Sequence, residues 1–324
     1  MSLAMKAVVI RDHGSFEALR IEQRPAPVPG PGEVRVRVKA AGLNHLDTWV
    51  RRGVEGFAFP LPIIPGCDGA GVAEATGEEV VLAPGLGRPM DRDYGILGET
   101  RDGTCAEWVV LPRANLLPKP KHLSWEEASC FALAFLTAWA MLVRRARIQP
   151  GEWVLVHAAG SGIGVASIQI ARLFNCRVIA TASTAGKREK ARGLGAEEVL
   201  PYEGFAKECR RITGKAGVDV VVDHVGPGTF EGSVACLRKG GRLVTCGGTS
   251  GHDVKFDLRH LFFKSLSFLG QTMGTPEELR TVLGHIEAGR LRPVVDSVFP
   301  LARIADAHRR LAERAVFGKV VVTP

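Results

Sequence analysis

Residues 151–164, GEWVLVHAAGSGIG, combine a short apolar run with a glycine-rich turn that leads directly into the helical pattern VASIQIARLF. Val154–Val156 predicts a buried strand, and a helix is expected to begin near Ile163. Glycines let the backbone approach a phosphate closely, and a helix N-terminus offers that phosphate unpaired N–H groups and the positive end of a dipole. The pattern therefore indicates a dinucleotide pyrophosphate site made by Ala159, Gly160, Ser161, Gly162 and Ile163.

The sequence of the turn departs from the strict G-x-G-x-x-G motif, because Ala159 and Ser161 occupy the positions of the first two glycines if Gly164 is the third. Such a turn can also join a strand to a helix without any ligand. The elements that follow the turn favour the interpretation as a dinucleotide-binding turn. Predicted strands at 177–182, 198–200, 218–223 and 241–246 alternate with predicted helices at 187–194, 205–213 and 229–237. This alternation predicts an α/β fold with a doubly wound parallel sheet, a Rossmann unit.

The end of the second strand of such a unit reports which nicotinamide cofactor is bound. Ala182 stands there, so no Asp or Glu is present to bind a free ribose 2′-hydroxyl. Ser183, Lys187 and Arg188 follow it and suit a ribose phosphate instead. We therefore expect NADPH (NADP) as the cofactor rather than NADH. The alternative is that these cations form the solvated face of a helix.

The composition is that of a globular protein long enough for two domains: 324 residues, 46% hydrophobic and 23% charged. The apolar runs are too short to span a membrane, and the first residues lack a signal-peptide pattern, so a cytoplasmic protein without a membrane partner is expected. Residues 1–4 are interpreted as a short leader before Met5. Seven cysteines without a C-x-x-C pair predict free thiols, several of them buried.

The net charge of +8 raises the question of a nucleic-acid partner. Lys and Arg are spread along the chain, however, and aromatic residues do not alternate with them as a stacking platform requires. We therefore do not expect nucleic acid as a partner, and an anionic cofactor explains part of the excess charge.

Residues 5–122 contain mostly predicted strands, unlike the alternating strands and helices of the predicted Rossmann unit. Strands are predicted at 6–10, 33–40, 70–74, 79–82 and 106–111, with a short helix at 46–52. Near the C-terminus the pattern predicts helices at 276–288 and 304–313 and strands at 294–299 and 319–322. The two C-terminal strands are expected to complete the N-terminal sheet.

The chain resembles the medium-chain dehydrogenase/reductase superfamily over nearly its whole length, and the zinc-independent, quinone-oxidoreductase-like branch in particular. The motifs that carry the resemblance are GPGEVRVRVKAAGLNHLD (30–47), PIIPGCDGAG (62–71), FLTAW (135–139), VHAAGSGIG (156–164), VVDHVG (221–226) and FGKVVV (317–322). The resemblance implies a β-rich GroES-like catalytic domain at 1–123 and 271–324, and a Rossmann NADP-binding domain at 124–270.

Zinc-using relatives place three ligands at positions that hold Asn44, Cys67-Asp68 and approximately Leu133 in this chain. A zinc site needs about three thiolate, imidazole or carboxylate ligands, which Asn and Leu do not supply. We therefore expect neither zinc nor any other metal ligand set. An improvised site formed by His45, Cys67 and Asp68 remains an alternative.

By the same resemblance, Asn44 and Thr137 would lie beside the nicotinamide, as cofactor-binding and catalytic residues. The Asn44 amide can donate a hydrogen bond to a carbonyl oxygen, with a turn cap as the alternative role. The Thr137 hydroxyl could instead bond to its own helix backbone.

The remaining cofactor-binding candidates lie further along the Rossmann segment. Tyr202 resembles a Tyr that packs near the adenosine phosphates, although a surface Tyr would look the same in the sequence. His224 and Val225 end a strand at the edge where ligands bind in doubly wound sheets. Gly247 and Gly248 fit a second backbone approach to the cofactor, or a simple turn.

Without zinc, oxidation of a simple alcohol loses its Lewis acid, whereas hydride transfer to a conjugated acceptor remains feasible. The leading hypothesis is an NADPH-dependent oxidoreductase acting on a small apolar quinone or α,β-unsaturated carbonyl. The alternatives are a zinc-type alcohol dehydrogenase with atypical ligands, and an NADPH-binding module without enzymatic activity or with affinity for nucleic acid. The resemblance implies a homodimer, because residues 256–270 lead into a predicted edge strand of the sheet and relatives pair through such an edge.

Overall fold

The computed structural model describes residues 3–324, so the first half of the expected leader, Met1 and Ser2, lies outside the described residues. The strands are β1 (Ala4–Val9), β2 (Arg20–Pro25), β3 (Glu33–Gly42), β4 (Asp68–Ala73), β5 (Glu79–Leu82), β6 (Gly85–Leu86), β7 (Gly95–Ile96), β8 (Trp108–Pro112), β9 (Leu116–Pro118), β10 (Trp153–Val156), β11 (Arg177–Thr181), β12 (Glu198–Leu200), β13 (Val218–Val222), β14 (Leu237–Thr245), β15 (Ser267–Gly270), β16 (Val295–Pro300) and β17 (Lys319–Thr323).

The helices are α1 (His45–Arg52), α2 (Trp125–Ala128), α3 (Ala132–Trp139), α4 (Gly162–Leu173), α5 (Ala185–Gly193), α6 (Phe205–Ile212), α7 (Phe230–Cys236), α8 (Leu258–Phe263), α9 (Pro276–Glu287) and α10 (Ile304–Ala312). Helix α3 continues into a π-helical stretch, Ala140–Arg145. None of the helices within residues 3–324 is long and apolar enough to cross a membrane.

Tertiary contacts divide the chain into two units. Unit 1 comprises the residues up to Ala134 together with Thr275–Pro324, and unit 2 comprises Phe135–Gly274. The sequence predicts domain boundaries at 123/124 and 270/271, and that domain assignment stays a prediction.

The main sheet of unit 1 has the strand order β16-β17-β3-β4-β5-β9, and β8 pairs with β3 as well. Strands β16 and β17 are parallel to each other, and the other pairs in this sheet are antiparallel. The C-terminal β17 pairs with β3 so that Val321 lies opposite Gly42. The prediction that the C-terminal strands complete the N-terminal sheet is confirmed.

Unit 2 is built on a six-stranded parallel sheet with the order β12-β11-β10-β13-β14-β15. Its central strands are near-continuous apolar runs, such as WVLV in β10, which is the pattern of strands covered by helices on both faces. The predicted doubly wound fold is confirmed, and β15 is the predicted edge strand.

All seven cysteines are free thiols; six are buried and Cys246 is partly exposed. This agrees with the expectation of unpaired, mostly buried thiols.

Helix α10 packs against the core of unit 1 and carries a buried imidazole. The His308 side chain is 1% exposed, and neither ring nitrogen has a hydrogen-bond partner among the described residues. Burial, helped by the nearby Arg51 charge, lowers the pKa of His308 to about 3. His308 is therefore neutral in the folded protein at every pH at which the fold is ordinarily studied.

His308→Leu is predicted to reduce the loss of stability in mild acid. Between pH 7 and pH 5 the unfolded chain protonates this imidazole but the folded chain does not, so the free energy of unfolding falls by about 2 kcal/mol through this residue. Denaturant titrations of the wild type and the variant at both pH values measure the difference. His122→Leu, at an exposed position, is the control and should keep the wild-type pH dependence; equal losses in all three proteins would contradict the prediction.

Candidate functional site

The glycine turn connects β10 to α4 at the carboxyl end of the parallel sheet. Ser161 caps α4, because its Oγ accepts a hydrogen bond from the Gly164 N–H at 2.9 Å. The N–H groups of Gly162 and Ile163 also lie in the first turn of α4, where a helix has no internal acceptors. The turn therefore presents donors and a helix N-terminus, as the sequence predicts.

Gly164 is required by close packing of the helix on the turn. A Cβ at this position would lie 2.2 Å from the Ala158 carbonyl oxygen and 2.8 Å from the Ala159 Cα. Ala158 itself has φ +50°, a left-handed conformation that is costly for alanine. Thr181, at the end of β11, holds this strained turn: its carbonyl accepts from Ala159 N at 2.9 Å and its hydroxyl from Ala158 N at 3.3 Å.

A buried hydrogen-bond chain fixes the ends of three strands beneath the turn. His157 Nδ1 lies 2.9 Å from Thr181 Oγ1, and its Nε2 lies 2.9 Å from Ser233 Oγ. Ser233 Oγ in turn donates to Asp223 Oδ2 at 2.7 Å. Since the Ser233 hydrogen is used on Asp223, Ser233 accepts from His157 Nε2–H, and Nδ1 accepts from the Thr181 hydroxyl. Every member of the chain is thus satisfied.

The protonation states of this chain follow from its burial. Burial lowers the pKa of His157 to about 4. Burial acts to raise the pKa of Asp223, but His157 and the hydrogen bonds from Ser233, the Gly226 N–H and Thr229 outweigh it, and the pKa lies below its ordinary value. At neutral pH the chain holds a neutral imidazole and a carboxylate.

His224 faces the turn from the end of β13. Its Nε2 lies 2.9 Å from the Ser161 hydroxyl, and its Nδ1 is buried without a hydrogen-bond partner in the described chain. Burial lowers the pKa of His224 to about 4, so the ring is neutral near pH 7. A buried polar atom without a hydrogen-bond partner destabilises the folded protein by about 1–3 kcal/mol. A bound ligand that forms a hydrogen bond with Nδ1 would remove this penalty.

The structure brings the predicted Val225 and Gly247–Gly248 close to His224. Thr249 N donates to the His224 carbonyl at 3.2 Å and Ser250 N to the Val225 carbonyl at 2.8 Å. A Cβ on Gly248 would lie 2.2 Å from the Gly251 carbonyl oxygen, so the turn itself explains this glycine.

The predicted ribose-phosphate residues lie where β11 leads into α5. Thr184 caps α5 by accepting from Lys187 N at 3.3 Å. Ser183 is exposed and Lys187 is half-buried, and Arg188 Nη1 donates to the Ala182 carbonyl at 3.4 Å. The Tyr202 ring stacks on His157, with ring centroids 6.4 Å apart and planes inclined by 15°.

Thr137 lies in α3 and is buried. Its Oγ1 has no hydrogen-bond partner within residues 3–324. The alternative in which this hydroxyl bonds to its own helix backbone is therefore wrong.

In unit 1 the three positions that match zinc ligands in relatives are brought together. Asn44 Nδ2 lies 3.1 Å from Cys67 Sγ and 3.0 Å from Asp68 Oδ2. Leu133 N donates to Asp68 Oδ1 at 2.7 Å. Lys319 Nζ enters the same cluster, 3.1 Å from Asp68 Oδ2 and in a hydrogen bond with Asn44 Oδ1.

Two neighbouring groups of this cluster have shifted protonation equilibria. Burial raises the pKa of Asp47 to about 6, although its carboxylate accepts from Asn44 N at 2.7 Å and Gly66 N at 2.8 Å. Burial and the Asp47 and Asp68 carboxylates raise the pKa of the Cys67 thiol well above its ordinary value. Cys67 is therefore a neutral thiol at neutral pH.

The donor set does not fit a zinc ion. One of the three positions supplies a backbone N–H, another supplies an amide, and a lysine ammonium lies between the oxygen atoms. No group of three His, Cys, Asp or Glu side chains that could hold a metal occurs in the described part of the chain, and this includes the improvised set around His45.

Sequence reasoning missed Lys319 and His157. Each is a polar residue at one end of an apolar strand, before VVVT in β17 and after WVLV in β10. A charged or ionisable side chain adjoining a fully buried strand is a signal that could have identified both.

Comparison with known proteins gives a consistent assignment. Residues 30–121 match the family model for the alcohol dehydrogenase GroES-like domain, and residues 162–288 match that for zinc-binding dehydrogenases. A solved structure described as an NAD-dependent alcohol dehydrogenase is 48% identical with a TM-score of 0.94, covering 98% of this chain and 99% of that one.

Two curated proteins extend the comparison. A zinc-type alcohol dehydrogenase-like protein of Schizosaccharomyces pombe is 32% identical over 99% of both chains. Human quinone oxidoreductase is 28% identical, covering 98% of this chain and 97% of its own.

The Rossmann sheet with its phosphate-type turn, together with the GroES-like sheet, defines an oxidoreductase that uses a nicotinamide cofactor. The chain belongs to the medium-chain dehydrogenase/reductase superfamily.

Gly164→Ala is predicted to destabilise the protein by about 1–3 kcal/mol through the contact with Ala158, and to weaken binding of the nicotinamide cofactor by displacing α4 from the turn. Fluorescence titration with NADPH at a temperature where the variant is folded measures the second effect. Gly284→Ala, in an exposed turn of α9 where a Cβ has open space, is the control. Its free energy of unfolding should rise by roughly 0.5–1 kcal/mol, and its affinity for NADPH should equal that of the wild type. Unchanged NADPH affinity in Gly164→Ala would count against a phosphate-binding role for the turn.

Proposed function

We propose that the protein is a cytoplasmic, homodimeric reductase that transfers hydride from NADPH to a small apolar quinone or α,β-unsaturated carbonyl without a catalytic zinc ion. The observation that carries the proposal is the cluster at the zinc-ligand positions, where Asn44, the Leu133 N–H and the Lys319 ammonium replace a ligand set. The free cysteines suit a reducing compartment, and enzyme activity in the soluble cell fraction would test that location.

The nicotinamide cofactor, when bound, supplies the hydride. The glycine turn would hold its pyrophosphate with the N–H groups of Gly162 and Ile163. His224 Nδ1, buried and unpartnered, would pair with a polar atom of the same ligand. These residues fit a dinucleotide, and the neutral state of His224 suits hydrogen bonding rather than ion pairing.

The preference for NADPH rests on the start of α5. Ser183, Lys187 and Arg188 offer a hydroxyl and two cations, and no carboxylate stands at the end of β11 to repel a 2′-phosphate. The description of the 48% identical structure as NAD-dependent points the other way, which makes an NAD-dependent alcohol dehydrogenase the second candidate.

The acceptor class follows from the charge that hydride addition creates. Quinones and enones spread this charge over a conjugated oxygen, so hydrogen-bond donors can stabilise it without a Lewis acid. The Thr137 hydroxyl has no hydrogen-bond partner among the described residues and can donate to a substrate oxygen. The Asn44 amide hydrogens are engaged by Cys67 and Asp68, so Asn44 would have to exchange one of these bonds to donate to substrate.

A cofactor-oxidation screen tests the proposal. NADPH and NADH are each supplied with quinones, enones, 2-alkenals and simple aldehydes, and NAD and NADP with primary and secondary alcohols, while zinc content is measured on the same preparation. We expect turnover of NADPH with quinones or enones by protein that lacks stoichiometric zinc. Zinc-dependent oxidation of simple alcohols with NAD would establish the second candidate instead.

Lys187→Glu separates the cofactor preference from the choice of acceptor. The variant should raise KM for NADPH by about tenfold or more, because a carboxylate replaces a cation facing the 2′-phosphate, and should leave KM for NADH little changed. Lys207→Glu makes the same charge change at an exposed site on α6 and is the matched control. Equal effects of the two variants would show that Lys187 does not contact the phosphate.

The homodimer is proposed from the open edge of the unit 2 sheet. Among the described residues, strand β15 pairs with β14 alone, and the preceding α8 exposes Phe262 and Phe263 by 61% and 68%. An unpaired edge beside exposed aromatic rings is a surface that a second copy of the chain would cover.

Sedimentation equilibrium is expected to give twice the chain mass of 34.8 kDa for the wild type. Phe263→Glu should shift the population towards monomer, because it places a charge in the contact. Met90→Glu, a similar change at a side chain that is 91% exposed in unit 1, should remain dimeric. A monomeric wild type would refute the dimer.

A further inference from the structure

Lys319 is a buried cation at the start of an apolar strand. It is the first residue of β17, its side chain is 6% exposed, and its partner Asp68 is fully buried. A buried ammonium is tolerated only where carboxylate or amide oxygens surround it, so this position is a built cation site.

The contacts of the ammonium coincide with the zinc-ligand positions of relatives. Nζ binds Asn44 Oδ1, at the first position, and lies 3.1 Å from Asp68 Oδ2, next to Cys67 at the second. The other oxygen of Asp68 accepts from the backbone N–H of Leu133, at the third position. One positive charge thus reaches all three positions directly or through Asp68.

We infer that the Lys319 ammonium is the resident cation of this site, taking the position that a divalent metal would take among Asn44, Cys67 and Asp68. It neutralises Asp68 and excludes a metal by occupying the same oxygen atoms. The inference rests on the proposed function only in that both describe a site without catalytic zinc.

The ammonium also sets the orientation of the Asn44 amide. Because Nζ donates to Oδ1, the Nδ2 group must face Cys67 Sγ, at 3.1 Å, and Asp68 Oδ2, at 3.0 Å. A metal bound to the same Oδ1 would impose the same orientation. Lys319 is therefore a positioning residue that performs the structural part of a metal ion's role.

Two variants with the same metal ligands and different cations test the inference. Asn44→Cys places a second thiol beside Cys67 and Asp68, which completes three zinc-type ligands while Lys319 remains. Asn44→Cys/Lys319→Met keeps these ligands and replaces the ammonium by an uncharged side chain of similar length. Each is titrated with Co²⁺ under a reducing agent that does not bind metals, and thiolate-to-cobalt and d–d absorption are recorded.

We expect the double variant to bind about one equivalent of Co²⁺, at least about tenfold more tightly than Asn44→Cys alone, and to be stabilised by it in thermal unfolding. The single variant and the wild type should show neither the absorption bands nor the stabilisation. Equally tight Co²⁺ binding by the single variant, or stoichiometric metal in the wild type, would overturn the inference, and so would a folded double variant that binds no cobalt.

Loss of the ammonium leaves Asp68 without its counter-charge, so folding is checked by circular dichroism before titration. Lys319→Met/Asp68→Asn removes both charges and serves as a folded reference that should not respond to Co²⁺. Should the Asn44→Cys/Lys319→Met protein be unfolded, Asn44→Cys/Lys319→Gln is used instead, and its failure to bind Co²⁺ when folded would contradict the inference in the same way.

None of these measurements uses a substrate or a nicotinamide cofactor. A negative quinone and enone screen would therefore not affect the inference about Lys319, and a negative cobalt titration would not affect the proposed reductase activity.

Discussion

A single buried ion pair joins parts of the chain that are more than 250 residues apart. Lys319, close to the C-terminus, meets Asp68 of β4 across a sequence separation of 251 residues, and Asn44 at the end of β3 across 275. Removing either charge would leave the other buried and unpaired, which costs about 3–5 kcal/mol. The pair therefore favours one register of β17 against β3 and one placement of the N-terminus of α1, which begins directly after Asn44.

Asp47, in the first turn of α1, holds the same helix N-terminus. Its carboxylate accepts from the backbone N–H groups of Asn44 and Gly66, so the start of α1 and the turn before β4 share one acceptor. Charged groups thus organise the candidate site in unit 1. In unit 2, His157 and His224 are kept neutral by burial and act as hydrogen-bonding groups around the turn, while the one carboxylate of that hydrogen-bond chain, Asp223, is compensated by hydroxyl and backbone N–H donors. An anionic dinucleotide is suited to N–H and hydroxyl donors at its phosphates.

Much of the fold could be predicted because the burial of one or both faces of a strand determines the pattern of apolar residues in the sequence. The strand at 33–40 alternates apolar and basic residues, and it appears as β3, while VDVVV of β13 is the continuous apolar run of a covered parallel strand. Strand β2, RIEQRP, was missed because it is largely exposed and pairs with β1 alone, so its side chains carry little apolar signal. Strand β2 forms because its backbone pairs with β1, and the local sequence pattern of β2 does not indicate this pairing.

The candidate site was predictable where local sequence determines geometry, and not where distant residues meet. The glycine turn and its cap lie within one short segment, so Ser161 and Gly164 could be placed from spacing. Lys319 looked like an ordinary strand residue, because the two oxygen atoms that it binds lie far away in the sequence. The predicted donor role of Asn44 was likewise drawn without knowing that Cys67 and Asp68 already accept its amide hydrogens.

The separation in sequence also orders events during synthesis. Unit 2 is one continuous segment, Phe135–Gly274, and all of its strands have been made before α9 begins. Unit 1 cannot form its final sheet until β16 and β17 have been made, and its cluster lacks a cation until Lys319, the first residue of β17, has left the ribosome. During translation the residues up to Ala134 are therefore made while Asp68 lacks its counter-charge, and the nascent protein can complete the parallel sheet of unit 2 before the sheet of unit 1 is complete.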